Sequence, residues 1–131
     1  MGKTVDLGRL AELLPDYEFA YLVTVDDDHR AHTATVTPAY TAGMLDVGPV
    51  GRHRRANLTA HAGVTLVFPP RAVTDYSLIV DGDAELPADP ADPVLVTPKH
   101  ALLHRPVFAE GTAQATGNVH DCVEIIGSDN G

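Results

Sequence analysis

A small, mainly β domain built as an antiparallel barrel with short flanking helices is the fold this sequence predicts, on three observations. Short segments alternate at a period of two and are rich in Val, Thr, Ile and Tyr; hairpin-type turns separate them; and a single stretch, residues 52–62, has the composition of a substantial helix. A doubly wound sheet needs helices between its strands, and these short strands are separated by hairpin turns with one substantial helix. At 131 residues it fits one domain, with a core over about residues 17–106 and a C-terminal arm over residues 107–131.

The elements follow in order. Asp6 is placed to cap a short helix on which Leu7, Leu10 and Leu14 recur, with Pro15 closing it as a lid or dimer helix. Over residues 19–25, Phe19, Tyr21, Val23 and Val25 alternate with Ala20, Leu22 and Thr24, a strand apolar on both faces that belongs inside a sheet. Asp26-Asp27-Asp28-His29 is a turn. The returning strand, residues 30–38, carries Thr33, Thr35 and Thr37 on one face and His32, Ala34 and Val36 on the other. Thr41-Ala42-Gly43 turns the chain into a short strand, residues 44–48, expected to complete a three-stranded meander.

Residues 52–62 read as the main helix, with Gly63 placed for a left-handed terminus. Residues 64–68 form a strand stopped by Pro69-Pro70, and residues 76–86 a longer one with Gly82 as a bulge or bend. Residues 87–93 are a Pro/Asp loop and residues 94–97 a short strand, while residues 99–105 fit either helix or strand. Beyond Pro106 only residues 119–126 have strand character.

Composition narrows the function. Apolar content of 44% with 21% charged residues is that of a soluble globular chain, and runs such as Ser77-Leu78-Ile79-Val80 are far too short to span a bilayer. The first residues lack the apolar core of a secretory signal, and the lone Cys122 excludes an internal disulfide, so a reducing cytoplasm is expected. A formal charge of -9 argues against broad binding to nucleic acid or to an anionic membrane. Heavy use of Ala, Val, Asp and Pro, with Arg over Lys, suggests a GC-rich bacterial genome.

Against that acidic balance, Gly51-Arg52-His53-Arg54-Arg55-Ala56-Asn57-Leu58 places three of the nine basic residues within four positions. Such a cluster calls for a local anion. The helix it opens has no Ser, Thr or Asp cap, so its first N–H groups lack an internal acceptor. A phosphate would meet those N–H groups, the positive end of the dipole and bidentate arginine together. A solvated helix face pairing with nearby acids is the alternative.

The order Tyr21-Leu22-Val23-Thr24-Val25, turn, His32-Thr33-Ala34-Thr35-Val36-Thr37-Pro38, short strand, Arg55-Ala56-Asn57-Leu58, Val64-Thr65-Leu66-Val67-Phe68-Pro69 and Tyr76-Ser77-Leu78-Ile79-Val80-Asp81-Gly82 resembles the pyridoxamine 5'-phosphate oxidase-like split-barrel flavoproteins over residues 19–105. The resemblance implies a six-stranded antiparallel split β-barrel, a homodimer with two sites at the subunit interface, and FMN or a deazaflavin bound by its phosphate at the basic helix start. It assigns Arg52, Arg54, Arg55 and Asn57 to the phosphate, and Thr35, Val36, Thr37 and Pro38 to the strand along the flavin ring. Thr35 and Thr37 read equally as solvent-facing strand residues. The chain is short and has no Trp, so it lacks the Trp-containing C-terminal substrate segment of true pyridoxamine phosphate oxidases, which argues against vitamin B6 synthesis.

Other constellations carry less. His100 and His104 stand four apart, but no third metal ligand is near and Pro98 and Pro106 bracket them. Asp26-Asp27-Asp28 lacks the alternating spacing of a calcium loop. Neither Cys122 nor Ser77 has an activating context, and no phosphate-binding glycine loop appears.

The expectation is therefore a flavin-dependent oxidoreductase moving hydride between FMN and a small-molecule substrate, with no side chain required as acid or base. The 8-hydroxy-deazaflavin of actinobacteria is the alternative cofactor. A non-catalytic flavin or haem carrier or sensor on the same barrel is the alternative role, the seven histidines keeping haem open.

Overall fold

The strands alternate inward and outward so regularly that one curled sheet accounts for most of the chain. The computed structural model describes residues 5–108 and 115–126, with side chains over residues 6–105. Strand β1 (Val5–Asp6) leads into a 3-10 turn (Leu7–Arg9), helix α1 (Leu10–Leu13) and a second 3-10 turn (Leu14–Asp16). Then come β2 (Ala20–Val25), β3 (Ala31–Val36), β4 (Ala39–Thr41), β5 (Met44–Asp46), helix α2 (Arg52–Ala60), β6 (Gly63–Phe68), β7 (Ser77–Glu85), β8 (Leu95–Phe108) and β9 (Ala115–Ile126).

Seven strands pair in the order β1-β9-β8-β7-β6-β2-β3 and curl into a half-barrel, and the β4–β5 hairpin joins through β5 to β8. Apart from the short parallel β1–β9 contact, every pairing is antiparallel. The mainly β split-barrel architecture is thus present, with seven strands along the path rather than six. The meander is also corrected: β2 and β3 form the expected hairpin, but β5 crosses to β8, pairing Leu45 with Val96 and Asp46 with Leu95. Leu45 is fully buried there, so the hydrophobic gain lies across the barrel rather than beside β3.

Inward positions build the core: Ala20 and Leu22 from β2, Val64, Leu66 and Phe68 from β6, Leu78 and Val80 from β7, and Val96 and Ala101 from β8. Val96 and Ala101 are an odd number of residues apart, which on a regular strand puts them on opposite faces. A bulge reconciles them, because Asp81 pairs with His100 while Gly82 pairs with Pro98, leaving Lys99 as the extra residue. Residues 99–105, open between helix and strand in the sequence, are strand, because β7 and β9 pair with both edges of β8 here. Leu10 from α1, Leu58 from α2, and Val47 and Val94 from outside the regular elements join the core, each buried leucine contributing about 1.5–3 kcal/mol.

Two helix termini differ from expectation. Asp6 does cap the first turn, its carboxylate accepting from Gly8 N at 3.1 Å, but Pro15 stands near the start of the last 3-10 turn instead of ending the segment; lacking an N–H, it loses nothing there. Helix α2 stops at Ala60 with His61 extended. Gly63 is not left-handed; it opens β6 paired with Asp83. The strand expected over residues 119–126 begins earlier, at Ala115, and pairs with β8. The side chain of Cys122, and residues 109–114 and 127–131 of the expected C-terminal arm, lie outside the described residues.

The outer face of the sheet carries one apolar row. Register aligns Tyr21, Val67, Ile79 and Leu102 across β2, β6, β7 and β8, and Tyr21 is 41% exposed. Thr35 of β3 lies in the same row.

Candidate anion-binding site

Helix α2 begins at the corner between the β2–β3 hairpin and the loop that follows β7. Gly51 precedes it in extended conformation and no side chain caps it. The first intrahelical bond is Arg55 N to Gly51 O at 2.9 Å, so the N–H groups of Arg52, His53 and Arg54 find no acceptor within the helix.

At about 100° per residue the helix sends its cluster in different directions. Leu58 points into the core, 3% exposed. On one side of it, Arg54 donates from Nη2 to the carbonyl of Thr33 at 3.1 Å. On the other, Arg55 donates from Nη2 to the carbonyl of Pro87 at 2.9 Å. Arg52 is exposed. Asn57 donates from Nδ2 to Thr24 Oγ1 at 3.4 Å, giving a partner to a fully buried polar side chain of the core.

The Arg54 side opens into a cleft of about 540 Å³ lined by Asp26, His32, His53, Arg54 and Asn57. His32 Nε2 meets Asp26 Oδ2 at 2.8 Å. The other oxygen of Asp26 accepts from Asp28 N at 2.8 Å and Arg30 N at 3.0 Å. The bond from His32, with those from the Arg30 and Asp28 backbone, pulls the Asp26 carboxyl down to about 2. Beside it, Nε of Arg54 is buried and has no hydrogen-bond partner. An unpaired guanidinium N–H in a cleft is an acceptor-seeking group.

Strand β3 ends the seven-strand path, so among the described residues one edge of it pairs with no strand. The Arg54 bond shows that the Thr33 carbonyl faces this edge, and backbone alternation turns the N–H and C=O of Thr35 the same way. The side chains of Thr35 and Thr37 are exposed, and those of Val36 and Pro38 are half-buried.

Of the residues singled out in the sequence, the cleft gathers Arg54 and Asn57; Thr35 and Val36 lie further along the adjoining edge strand, Thr37 and Pro38 just beyond its end, and Arg55 turns away from the cleft. Asp26, His32 and His53 were missed as lining residues. His53 and Asn57, four apart on the helix, were legible as one face, but nothing local tied that face to the hairpin turn. Among the described residues no group of three His, Cys, Asp or Glu side chains is placed to hold a metal ion.

No protein-family model matches the sequence. The chain is 45% identical over 135 aligned positions to the uncharacterized proteins Mb0449c of Mycobacterium bovis and MT0457 of Mycobacterium tuberculosis, covering 93% of this chain and 95% of theirs. Among solved structures it is similar to an F420 reductase, with a TM-score of 0.57 and 20% identity over 69% of this chain and 94% of that one. It is also similar to a Clostridium acetobutylicum protein of the pyridoxinephosphate oxidase family, related to general stress protein 26 of B. subtilis, with a TM-score of 0.59 and 13% identity over 77% and 91% of the two chains. The chain belongs to the family of the two mycobacterial proteins, and its fold is that of the pyridoxamine 5'-phosphate oxidase-like and F420 reductase split barrels.

Proposed function

We propose that this protein is a flavin-dependent oxidoreductase that binds FMN through its phosphate at the start of α2 and transfers hydride to or from a small substrate. The observation that carries the reading is the buried, unpartnered Nε of Arg54 in a cleft at an uncapped helix start. A phosphate oxygen would satisfy that N–H, and the free N–H groups of α2 would take others. Arg52 is exposed at that helix start and Asn57 lines the cleft from the second turn of α2, while Arg55 fixes the supporting loop through Pro87.

From Thr33, beside Arg54, the free edge of β3 runs to Thr35, and the chain continues through Val36 to Thr37 and Pro38 beyond the strand, about 16 Å when extended. The flat ring is assigned to that edge, whose backbone N–H and C=O groups would orient it. The flavin supplies the hydride chemistry, so the chain's own residues bind, orient and exclude water. The half-buried apolar row of Val67, Ile79 and Leu102, ending at the exposed Tyr21 and bordered by Thr35, supports a second copy of the chain closing the site.

Likeness to the F420 reductase favours a deazaflavin as the second reading, since its longer anionic tail wants the same basic corner. Mass spectrometry of the small molecule that copurifies tests both. An FMN mass supports the first reading and a deazaflavin mass the second; recovery of neither, with no saturable affinity for either, would overturn the cofactor assignment.

A further inference from the structure

Charged groups reach the cleft from each element around it. From the β2–β3 turn comes Asp26, with Asp28 and Arg30 donating to it through their backbone N–H groups. From β3 comes His32, and from α2 come His53 and Arg54; Arg52, also on α2, is exposed. Asp27, also on the turn, is held by His61 at the far end of α2, Nε2 to Oδ1 at 3.0 Å. With neutral imidazoles, the Asp26 carboxylate and the Arg54 guanidinium cancel, and the lining carries no net charge. With both imidazoles protonated the lining carries two positive charges.

We propose that His32 and His53 are ligands of the anion site that make its occupancy pH-dependent, weak when they are neutral and strong when they are protonated. This rests on the anion-anchor reading of the cleft and adds to it a condition under which the anchor works. His32 acts in two ways. Protonation adds a donor, and it also neutralises Asp26, the carboxylate that otherwise repels an incoming anion across a short gap. His53 acts directly, because it shares the helix face of Asn57 beside the free N–H groups of α2. Imidazoles are the side chains that change charge between about pH 5 and 8.

Inorganic sulfate is the probe, because its charge is constant over this range whereas a phosphate monoester gains a proton near pH 6. Sulfate affinity is measured by calorimetry at pH 8.5 and pH 6 for the unmodified protein, for His32→Gln with His53→Gln, and for Asp26→Asn. Both histidines are exposed, so the double variant should fold, and circular dichroism checks that it does. The expected result is about a tenfold tighter Kd at pH 6 for the unmodified protein and a flat profile for the double variant. Asp26→Asn should bind sulfate more tightly at pH 8.5 than the unmodified protein, because the asparagine oxygen still accepts the turn's N–H groups while the charge is gone. A flat profile in the unmodified protein, an unchanged slope in the double variant, or weaker binding by Asp26→Asn at pH 8.5 would each overturn the proposal. FMN titrated in parallel separates the two readings: a pH-dependent sulfate site with no FMN affinity sinks the cofactor and keeps the switch.

Discussion

Arg54 and Arg55 are adjacent in the sequence and hold different parts of the protein, the first joined to the carbonyl of Thr33 on the edge strand and the second to the carbonyl of Pro87 in the loop after β7. Leu58, buried between the two directions, fixes the rotation of α2 that separates them. A cluster that looks uniform in sequence is thus divided by helical geometry into one residue that faces the cleft and one that braces it.

That division predicts different losses. Arg54→Ala should weaken FMN binding by more than ~2 kcal/mol, or roughly thirtyfold in Kd, since hydrogen bonds to charged groups are the strong ones. Arg55→Ala should leave Kd within about twofold and lower unfolding stability by about 1.5 kcal/mol through the lost bond to Pro87. Fluorescence titration and urea unfolding of the two single variants check this. Equal loss of FMN affinity in both would show that the arginines act as one unit.

The β4–β5 hairpin predicts a gain. Its two loop residues, Ala42 and Gly43, have φ of 54° and 78°, the pair of positive values that a two-residue type I′ turn requires. Ala42 holds the left-handed conformation at a cost of about 1–2 kcal/mol, more than glycine loses through its freer unfolded chain. Ala42→Gly should therefore raise stability by about 0.5–1 kcal/mol, seen as a higher urea midpoint at unchanged m-value. No gain would mean that the turn relaxes around alanine.

Gly82 marks the opposite case. A Cβ there would collide with the carbonyl oxygen of Thr97 and stand 2.9 Å from Val96 Cγ1, where β8 bulges toward β7. Backbone cannot move aside as a flexible side chain can, so Gly82→Ala should cost about 2–3 kcal/mol. Gly63, at the start of β6, has open space around it, and Gly63→Ala should be within about 0.5 kcal/mol of neutral. Thermal melts of the two variants side by side separate crowding from a general intolerance of alanine in strands.

How much was legible follows from the range of the interactions. The β2–β3 hairpin, the Gly82 irregularity and the uncapped start of α2 rest on neighbours in sequence or on period two, and each is visible along the chain. The β5–β8 pairing is not, because Leu45 and Val96 are distant in sequence and nothing in residues 44–46 distinguishes one edge from another. Gly63 misled because a glycine after a helical run suits a left-handed terminus, but pairing with Asp83 claimed it for β6. The cleft was half legible: the basic residues announced an anion, while His32 and Asp26 enter it only because the hairpin folds back beside α2.

Tyr17 gives a prediction at high pH. Its hydroxyl donates to the carbonyl of Tyr76 at 2.9 Å and its ring packs edge-on to Phe68 at 5.9 Å. Burial, with the charges of Asp16 and Asp75, pushes the phenol up to about 12. In the unfolded chain the phenol ionises near pH 10, so between about pH 10 and 12 the unfolded state sheds a proton that the folded state keeps. The stability this group contributes is full below pH 10 and is lost as pH rises toward 12. Tyr17→Phe should be about 1 kcal/mol less stable at pH 8, through the lost hydrogen bond, and the gap should narrow as pH rises past 10, because phenylalanine has no proton to lose. Urea unfolding of both proteins from pH 8 to 11.5 measures the gap directly. A gap that stays constant across that range would show that Tyr17 titrates alike in the folded and unfolded chains, and that neither burial nor Asp16 and Asp75 hold its proton.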